Sequence, residues 1–286
     1  MAEGIGEYGA LWARAAQQGV TALRAVALAA CVAALAACSG ATSGGEDAGG
    51  GESPTSTTPD VAAAGANGAS SATGGGEDAS GDAANAPRSV LVFGDSLSAA
   101  YNLAAEQGWV ALLDGRMRDE APGFRMVNAS ISGETTAGGV ARVDAALAEH
   151  RPALFVLALG ANDGLRGLPL AQTRANLERM VRAAKASGAD VLVVGMRLPP
   201  NYGPEYTEAF FALFGEIARA EGARHLPFLL EPIAFDDSAF QADRLHPTAE
   251  AQPALAEHVW AALSPMLAEA GRGTAAATAP EARPAG

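Results

Sequence analysis

The sequence predicts a three-layer α/β/α domain built on a five-stranded parallel sheet. Strand-like apolar runs alternate with helix-like segments from residue 88 onward, and the first and third runs are apolar throughout. Strands without a polar face are typical of sheets that are covered on both sides. Strands that alternate with helices pair in parallel through right-handed crossovers, which place helices on both faces of the sheet.

The folded domain is expected over residues 88–272, because the composition changes sharply on both sides of it. Residues 38–87 are almost wholly Gly, Ala, Ser, Thr, Pro and acids, and residues 273–286 are similar. Such segments cannot bury enough apolar surface to fold, so we predict a disordered linker and a disordered tail. Residues 1–37 are predicted to be a signal peptide, since their apolar stretch is too short to span a bilayer.

The elements of the domain follow one another in a regular order. Strands are predicted at residues 90–93, 126–129, 154–159, 191–195 and 225–228. Helices are predicted at residues 107–120, 137–150, 169–187, 205–221 and 248–270. Thr135 and Thr136 are good caps for the second helix, and Pro169 suits the first turn of the third. The expected strand order is the flavodoxin-like 2-1-3-4-5.

Polar residues or glycine follow the carboxyl ends of the first three strands. Ser96 in Gly-Asp-Ser-Leu follows strand 1, Gly133 in Ser-Ile-Ser-Gly follows strand 2, and Asn162 in Gly-Ala-Asn-Asp follows strand 3. These three loops meet where the topology reverses, so the residues are predicted to lie together. Asp243 and His246 follow the last strand, and the irregular stretch before them is long enough to carry them over the sheet edge.

This set of residue types is suited to acyl transfer, which needs a nucleophile, a base, an orienting carboxylate and donors for an oxyanion. Ser96 is the candidate nucleophile, His246 the general base and then acid, and Asp243 the carboxylate that fixes the histidine tautomer. The backbone N–H groups of Ser96 and Gly133 and the side-chain amide of Asn162 are the candidate oxyanion donors. The alternative that Ser96 only caps a turn stays open.

Two further acidic residues stand beside these candidates. Asp95 and Asp163 are expected to be structural, because aspartates in tight turns accept hydrogen bonds from nearby backbone N–H groups. The sequence lacks a Gly-x-Ser-x-Gly motif, which argues against the α/β-hydrolase fold despite the similar set of residue types.

Four segments make the chain resemble the GDSL, or SGNH, hydrolase family: residues 94–101, 128–135, 162–167 and 197–203. The four residues that name the family map onto Ser96, Gly133, Asn162 and His246. Within the family, the chain resembles the bacterial multifunctional thioesterase I and lysophospholipase group, also described as arylesterases. The resemblance implies a hydrolase of acyl esters and thioesters that needs no cofactor.

A hydrophobic acyl group would need an apolar groove beside Ser96. Its expected walls are Leu165, Leu168, Leu198, Tyr202 and Phe210. These side chains could equally belong to the core. The resemblance also implies that the loop at residues 163–168 is mobile and closes over the acyl chain.

Two other functions stay open at this point. The same fold serves short acyl groups, so a carbohydrate or peptidoglycan O-acetylesterase is one alternative. A non-catalytic lipoprotein that binds lipids or scaffolds a partner is another, although a binding module has no need of a complete set of catalytic residue types. A fluorophosphonate probe would separate enzyme from scaffold, and activity across acyl lengths would separate the two enzymes.

The N-terminal segment ends in Leu-Ala-Ala-Cys, which resembles the bacterial lipobox. Cys38 is therefore the expected lipidation site, and Ser39 after it suggests an outer-membrane lipoprotein that faces the periplasm. Cys31 lies in the removed segment, so no thiol is left in the domain, and metal-ligand spacings are absent. The net charge of −13 argues against a nucleic-acid partner. We expect a monomer that acts on small molecules.

Overall fold

The computed structural model describes residues 86–277, with side chains as far as residue 272. The predicted signal peptide, the lipidation site at Cys38, nearly all of the linker and the end of the tail lie outside the described residues. Within residues 86–277, no helix has the length and apolar character that a membrane crossing requires.

The strands form one five-stranded sheet in the order 2-1-3-4-5, and every pair of neighbours is parallel. In chain order the strands are β1 (Arg88–Gly94), β2 (Phe124–Asn128), β3 (Leu154–Ala158), β4 (Asp190–Val194) and β5 (Arg224–Leu226). The predicted fold class and strand order are confirmed.

Six α-helices accompany the strands in the described part of the chain. They are α1 (Trp109–Glu120), α2 (Thr136–His150), α3 (Ala161–Leu165), α4 (Leu170–Ala186), α5 (Pro204–Glu221) and α6 (Gln252–Ala277). Short 3₁₀ turns lie at Ala105–Gln107, Pro200–Tyr202, Glu231–Ile233, Asp237–Ala239 and Ala249–Ala251.

The sheet divides the core into two apolar layers, because successive side chains of a strand point to opposite faces. In β1, Val90 and Val92 pack in the layer that contains α1 and α6. Leu91 and Phe93 pack in the layer that contains α2, α4 and α5. All four side chains are fully buried, and each contributes about 1.5 to 3 kcal/mol of apolar burial.

The predicted strands and helices have boundaries within two residues of those in the structure, except at the last helix. The last strand ends at Leu226 rather than at residue 228, because Pro227 has no N–H to donate to the sheet. The last helix begins with the 3₁₀ turn Ala249–Ala251 and then continues as α6 to Ala277, beyond the predicted end at residue 270.

Helix α3 is absent from the prediction, which left Asn162 in a loop. Gly160 makes the abrupt change from β3 to this helix with φ at +121°, a backbone conformation that favours glycine. Asn, Asp and Gly form three of its five residues and are weak helix formers, so no local signal announces the helix.

Candidate active site

The segment after β1 is a tight turn that holds Ser96 at the carboxyl edge of the sheet. Asp95 builds the turn: its Oδ1 accepts the N–H of Leu97 at 3.1 Å, and its carbonyl accepts the N–H of Ser98 at 3.1 Å. This is the structural role expected of Asp95. Gly94 is required just before it, since a Cβ there would lie 2.8 Å from Oγ of Ser98. We call residues 95–102 the nucleophile turn.

The last two candidates lie on a hairpin formed by residues 239–248, which we call the acid–base hairpin. The N–H of Thr248 donates to the carbonyl of Ala239 at 2.8 Å, and Phe240 and Pro247 form an isolated antiparallel bridge. Asp243 organises the tip, because its Oδ1 accepts the N–H of His246 at 3.0 Å.

Ser96, His246 and Asp243 form one hydrogen-bonded series. Nε2 of His246 lies 2.8 Å from Oγ of Ser96, and Nδ1 lies 2.7 Å from Oδ2 of Asp243. Ser96 is half-buried, and the His246 side chain is 17% exposed. Substrate can therefore approach the hydroxyl while the imidazole is held between its two partners. The fold brings these three predicted residues together.

The carboxyl group of Asp243 is ionised at neutral pH. Burial raises its pKa, but hydrogen bonds from the N–H groups of Leu245 and His246, with the bond and charge of the His246 ring, outweigh burial. They bring the pKa down to about 2. An ionised carboxylate at this place accepts a hydrogen bond from the N–H at Nδ1, which keeps the proton on Nδ1 and leaves the lone pair of Nε2 directed at the serine hydroxyl.

Gly133 lies in a turn that is hydrogen-bonded to the end of β1, the strand that precedes Ser96. The N–H of Ile131 donates to the carbonyl of Gly94 at 3.0 Å, and the N–H of Glu134 closes the turn on Ile131. Gly133 has φ at +77°, is exposed, and has open space where a Cβ would be. The position therefore takes glycine for its backbone conformation, and its backbone is free to approach a bound substrate.

Asn162 is half-buried on α3, and the helix is fixed by the residue that follows it. Asp163 accepts hydrogen bonds from the N–H of Thr136 at 2.8 Å and from its hydroxyl at 2.5 Å, which ties α3 to the start of α2. Asp163 is thus structural, as expected. A guanidinium N–H of Arg166 donates to the carbonyl of Gly133 at 3.0 Å, so the loops of the two predicted oxyanion donors are linked.

Within the nucleophile turn, Asp95 is almost completely buried, at 1% exposure. Burial raises its pKa to about 7, against the lowering effects of the Leu97 N–H and the Asn162 amide; the charges of Glu134 and Asp163 add to the rise. Its Oδ2 has no hydrogen-bond partner of acceptable geometry among the described residues. Below about pH 7 the carboxyl group is therefore protonated, and no negative charge then lies beside the place where an oxyanion would form.

The five predicted groove residues are in different environments, and Phe210 is fully buried in the core layer of α2, α4 and α5. Leu198 is 8% exposed and belongs to the core layer of α2, α4 and α5, so the core alternative applies to it. Leu165 and Tyr202 are half-buried against the same layer, and the Tyr202 hydroxyl donates to the carbonyl of Leu165 at 2.8 Å. Leu168 is half-buried, and its carbonyl accepts a hydrogen bond from Tyr206 at 2.8 Å.

Sequence reasoning did not single out two residues that surround His246. The Tyr101 ring lies against the imidazole with 4.3 Å between ring centroids, and Gln241 joins the hairpin to the nucleophile turn. Tyr101 was in one of the segments that carry the family resemblance, but nothing in the sequence indicates a contact across 145 positions.

A parallel α/β/α domain with Ser, His and Asp in hydrogen-bonded series at the carboxyl edge of its sheet is typical of acyl hydrolases. The GDSL-like Lipase/Acylhydrolase family matches residues 92–253, and the chain belongs to this family. The matched residues include the nucleophile turn, the Gly133 turn, α3 and the acid–base hairpin.

Individual relatives agree with this assignment. The chain is 52% identical over 182 residues to "Esterase TesA" of Pseudomonas aeruginosa, covering 64% of this chain and 90% of the relative. It is 39% identical over 184 residues to "Thioesterase 1/protease 1/lysophospholipase L1" of Escherichia coli, covering 64% and 87%. A crystal structure of the psychrotrophic esterase EstA from Pseudoalteromonas, inhibited by monoethylphosphonate, is similar with TM-score 0.61 and 38% identity, covering 63% and 99%. The chain is an ester or thioester hydrolase of this family.

Proposed function

We propose that the chain is a serine esterase that cleaves acyl esters and thioesters through an acyl-enzyme, using Ser96, His246 and Asp243 as a catalytic triad. The observation that carries the proposal is the continuous series from Oγ of Ser96 through the His246 ring to Asp243, at 2.8 Å and 2.7 Å. These distances lie within the range over which a base can take a proton from a nucleophile.

In the acylation step, Oγ of Ser96 attacks the substrate carbonyl carbon as its proton passes to Nε2 of His246. The carbonyl oxygen becomes an oxyanion that accepts hydrogen bonds from the N–H groups of Ser96 and Gly133 and from the Asn162 amide. The bond to the alcohol or thiol then breaks, and the leaving group takes the proton from His246. The acyl group remains on Ser96 as an ester.

In the deacylation step, His246 takes a proton from water, and the resulting oxygen attacks the acyl-serine carbonyl. The second oxyanion collapses with cleavage of the serine ester, and Oγ recovers the proton from Nε2. Asp243 stays ionised throughout, since its pKa is about 2, and it stabilises the imidazolium that forms in each step.

We propose acyl esters and thioesters, including aryl esters and lysophospholipids, as the substrate class. Esters and thioesters pass through the same kind of oxyanion, so a single site of this design serves both. The names esterase and thioesterase among the relatives support this range. Leu165, Leu168 and Tyr202 are the proposed contacts of the acyl chain, with the buried Leu198 as support behind them.

We also propose that the enzyme is a monomer held at a membrane of the cell envelope by lipid on Cys38, with the linker as a flexible tether. The support for this location is the lipobox-like sequence Leu-Ala-Ala-Cys and the composition of the segment after it. The catalytic residues all lie beyond residue 88, so the proposed tether does not enter the reaction.

The triad is tested with Ser96→Ala, His246→Ala and the double variant on a p-nitrophenyl ester and with a fluorophosphonate probe. Each single variant should lose about 10⁴-fold or more in kcat, and the double variant should lose little more, because triad members act as a unit. Ser96→Ala should also lose labelling by the probe. Circular dichroism should match the wild type in all three.

Labelling of Ser96→Ala at another serine would contradict the assignment of the nucleophile, and an additive double variant would contradict a shared role with His246. The substrate class is tested separately with esters from acetyl to palmitoyl, acyl-CoA and lysophospholipid. Activity confined to acetyl esters would favour an O-acetylesterase instead.

A further inference from the structure

The acid–base hairpin packs on the apolar core at its ends, where Ala239 is buried and Phe240 packs against the layer of α1 and α6, but the tip that carries His246 belongs to no strand or helix. Among the described residues, its only sheet-like contact is the isolated bridge between Phe240 and Pro247, which lies within the hairpin itself. The segment that leads to it contains two 3₁₀ turns and no strand. The position of His246 relative to Ser96 therefore depends on a small number of side-chain contacts.

Gln241 makes hydrogen bonds to both sides of this junction. Its Nε2 donates to the carbonyl of Tyr101 at 3.0 Å on the nucleophile turn and to the carbonyl of Pro247 at 2.9 Å on the hairpin. Its Oε1 accepts a longer bond from Nδ2 of Asn102 at 3.4 Å.

The backbone of Gln241 also braces the hairpin from inside. Its N–H donates to the carbonyl of His246 at 2.8 Å, and its carbonyl accepts the N–H of Arg244 at 2.8 Å. One half-buried residue thus binds both the peptide unit that follows Asp243 and the peptide unit that follows His246.

The segments that Gln241 joins are conformationally strained. Four non-glycine residues of the described chain have left-handed backbone, and three of them, Ala100, Asn102 and Arg244, lie in these two segments. Such residues persist only where surrounding contacts hold them, and they cluster at functional sites. Ala100 and Asn102 flank Tyr101, whose ring lies against His246 with centroids 4.3 Å apart.

We infer that Gln241 is a positioning residue, which fixes the His246 ring relative to Ser96 by binding the acid–base hairpin to the carbonyl of Tyr101. Tyr101 completes the link, because its ring forms one side of the space that the imidazole occupies. This inference rests on the proposed triad. Gln241 does not touch the reacting atoms in this arrangement; it acts only through the placement of the base.

The inference predicts a loss in kcat and not in KM. Displacement of a catalytic group by about 1 Å can lower a rate on the order of 100-fold. Gln241→Ala removes both Nε2 hydrogen bonds, so we expect kcat to fall about 10- to 100-fold at unchanged KM. The rate of fluorophosphonate labelling should fall in parallel, and the apparent pKa in the pH profile of kcat/KM should move.

Tyr101 supplies the matched variants. Tyr101→Phe keeps the ring and should retain wild-type kcat within about twofold, whereas Tyr101→Leu should lose as much as Gln241→Ala. The double variant Gln241→Ala with Tyr101→Leu should lose little more than either single variant, since both act on one ring. Asn102→Gly removes only the longest bond, suits the left-handed backbone, and should stay within about twofold of wild type.

Three results would overturn the inference in folded protein: unchanged kcat and pH profile in Gln241→Ala, a rise in KM alone, or additive losses in the double variant. All kinetics are measured well below the midpoint of thermal unfolding, so that loss of stability is not read as loss of positioning. Ser96→Ala is run alongside. An active Ser96→Ala would refute the triad itself, whereas an inactive Ser96→Ala with a fully active Gln241→Ala would refute this inference alone.

Discussion

At the scale of single residues, Asp95 beside the nucleophile is the acidic group of the described residues whose pKa burial raises most. It lies next to the nucleophile, its carboxyl is 1% exposed, and its pKa of about 7 stands far above the ordinary 3.8. In the unfolded chain the proton leaves near pH 3.8, whereas in the folded chain it stays until about pH 7. The stability that this proton confers is complete below pH 3.8 and is lost as the pH rises to 7.

Asp95→Asn should remove this dependence, because asparagine can still accept the Leu97 N–H but carries no titrating proton. Relative to wild type, the variant should gain about 2 to 3 kcal/mol in unfolding free energy between pH 5 and pH 8, since one pKa unit corresponds to about 1.4 kcal/mol. Urea unfolding at the two pH values measures the difference. Asp119→Asn, at an exposed position, is the control. A constant difference between Asp95→Asn and wild type at both pH values would contradict the raised pKa.

At the scale of the elements, two helical glycines differ in the space around them: one is tightly packed and the other has open space beside it. A Cβ on Gly139 of α2 would lie 2.6 Å from Cδ1 of Leu159 and 2.8 Å from Sδ of Met180, so the residue lets this helix pack closely on its neighbours. A Cβ on Gly115 of α1 would have nothing within 4 Å.

We expect Gly139→Ala to destabilise the domain by about 1 to 2 kcal/mol, because overpacking outweighs the gain in helix propensity. Gly115→Ala should stabilise it by about 0.5 to 1 kcal/mol, since only the propensity changes. Chemical unfolding of the two variants side by side tests the pair. Stabilisation by Gly139→Ala would show that the neighbouring side chains can move aside without cost.

Most elements could be predicted from local patterns, and the exceptions have physical causes. The apolar runs at residues 90–93 and 154–159 identified the two central strands, β1 and β3, because both faces of those strands are covered. Helix α3 could not be predicted from its own residues, since its position depends on Asp163 binding Thr136 from another helix. The end of β5 could have been predicted from Pro227, but the prediction extended the strand two residues too far, to residue 228.

The candidate site also has a part that could be predicted from the sequence and a part that could not. The strand order predicted from the alternation of elements brings the loops of Ser96, Gly133 and Asn162 to one edge, as the structure has them. The contacts of Gln241 and Tyr101 were not predictable, because they join residues whose separation in space is set by the irregular path of the chain after β5. Periodicity carries no information about such a path.

At the scale of the whole molecule, the proposed tether predicts that location and chemistry can be separated. Cys38→Ser should move the protein from a detergent-requiring fraction to the soluble fraction with unchanged kcat on a soluble ester. Activity on lysophospholipid in vesicles should fall, because the tether raises the local concentration of enzyme at the surface. Fractionation and the two assays measure this.

Equal loss on both substrates would instead mean that the N-terminal segment contributes to the site. An unchanged membrane fraction would mean that Cys38 is not lipidated. Cys31→Ser is the matched control, since this cysteine lies in the segment that the proposed signal cleavage removes.

The start of the folded domain lies against its last helix, because a guanidinium N–H of Arg88 donates to the carbonyl of Ala270 on α6 at 2.8 Å. Strand β1 runs 7 residues from Arg88 to Gly94. A strand of this length puts this contact about 20 Å from the nucleophile turn, at the opposite edge of the sheet. A peptide fused to the domain at residue 88 is therefore attached at the edge of the sheet opposite the candidate active site. A reporter fused there leaves the reacting face open to substrates as large as a lipid aggregate.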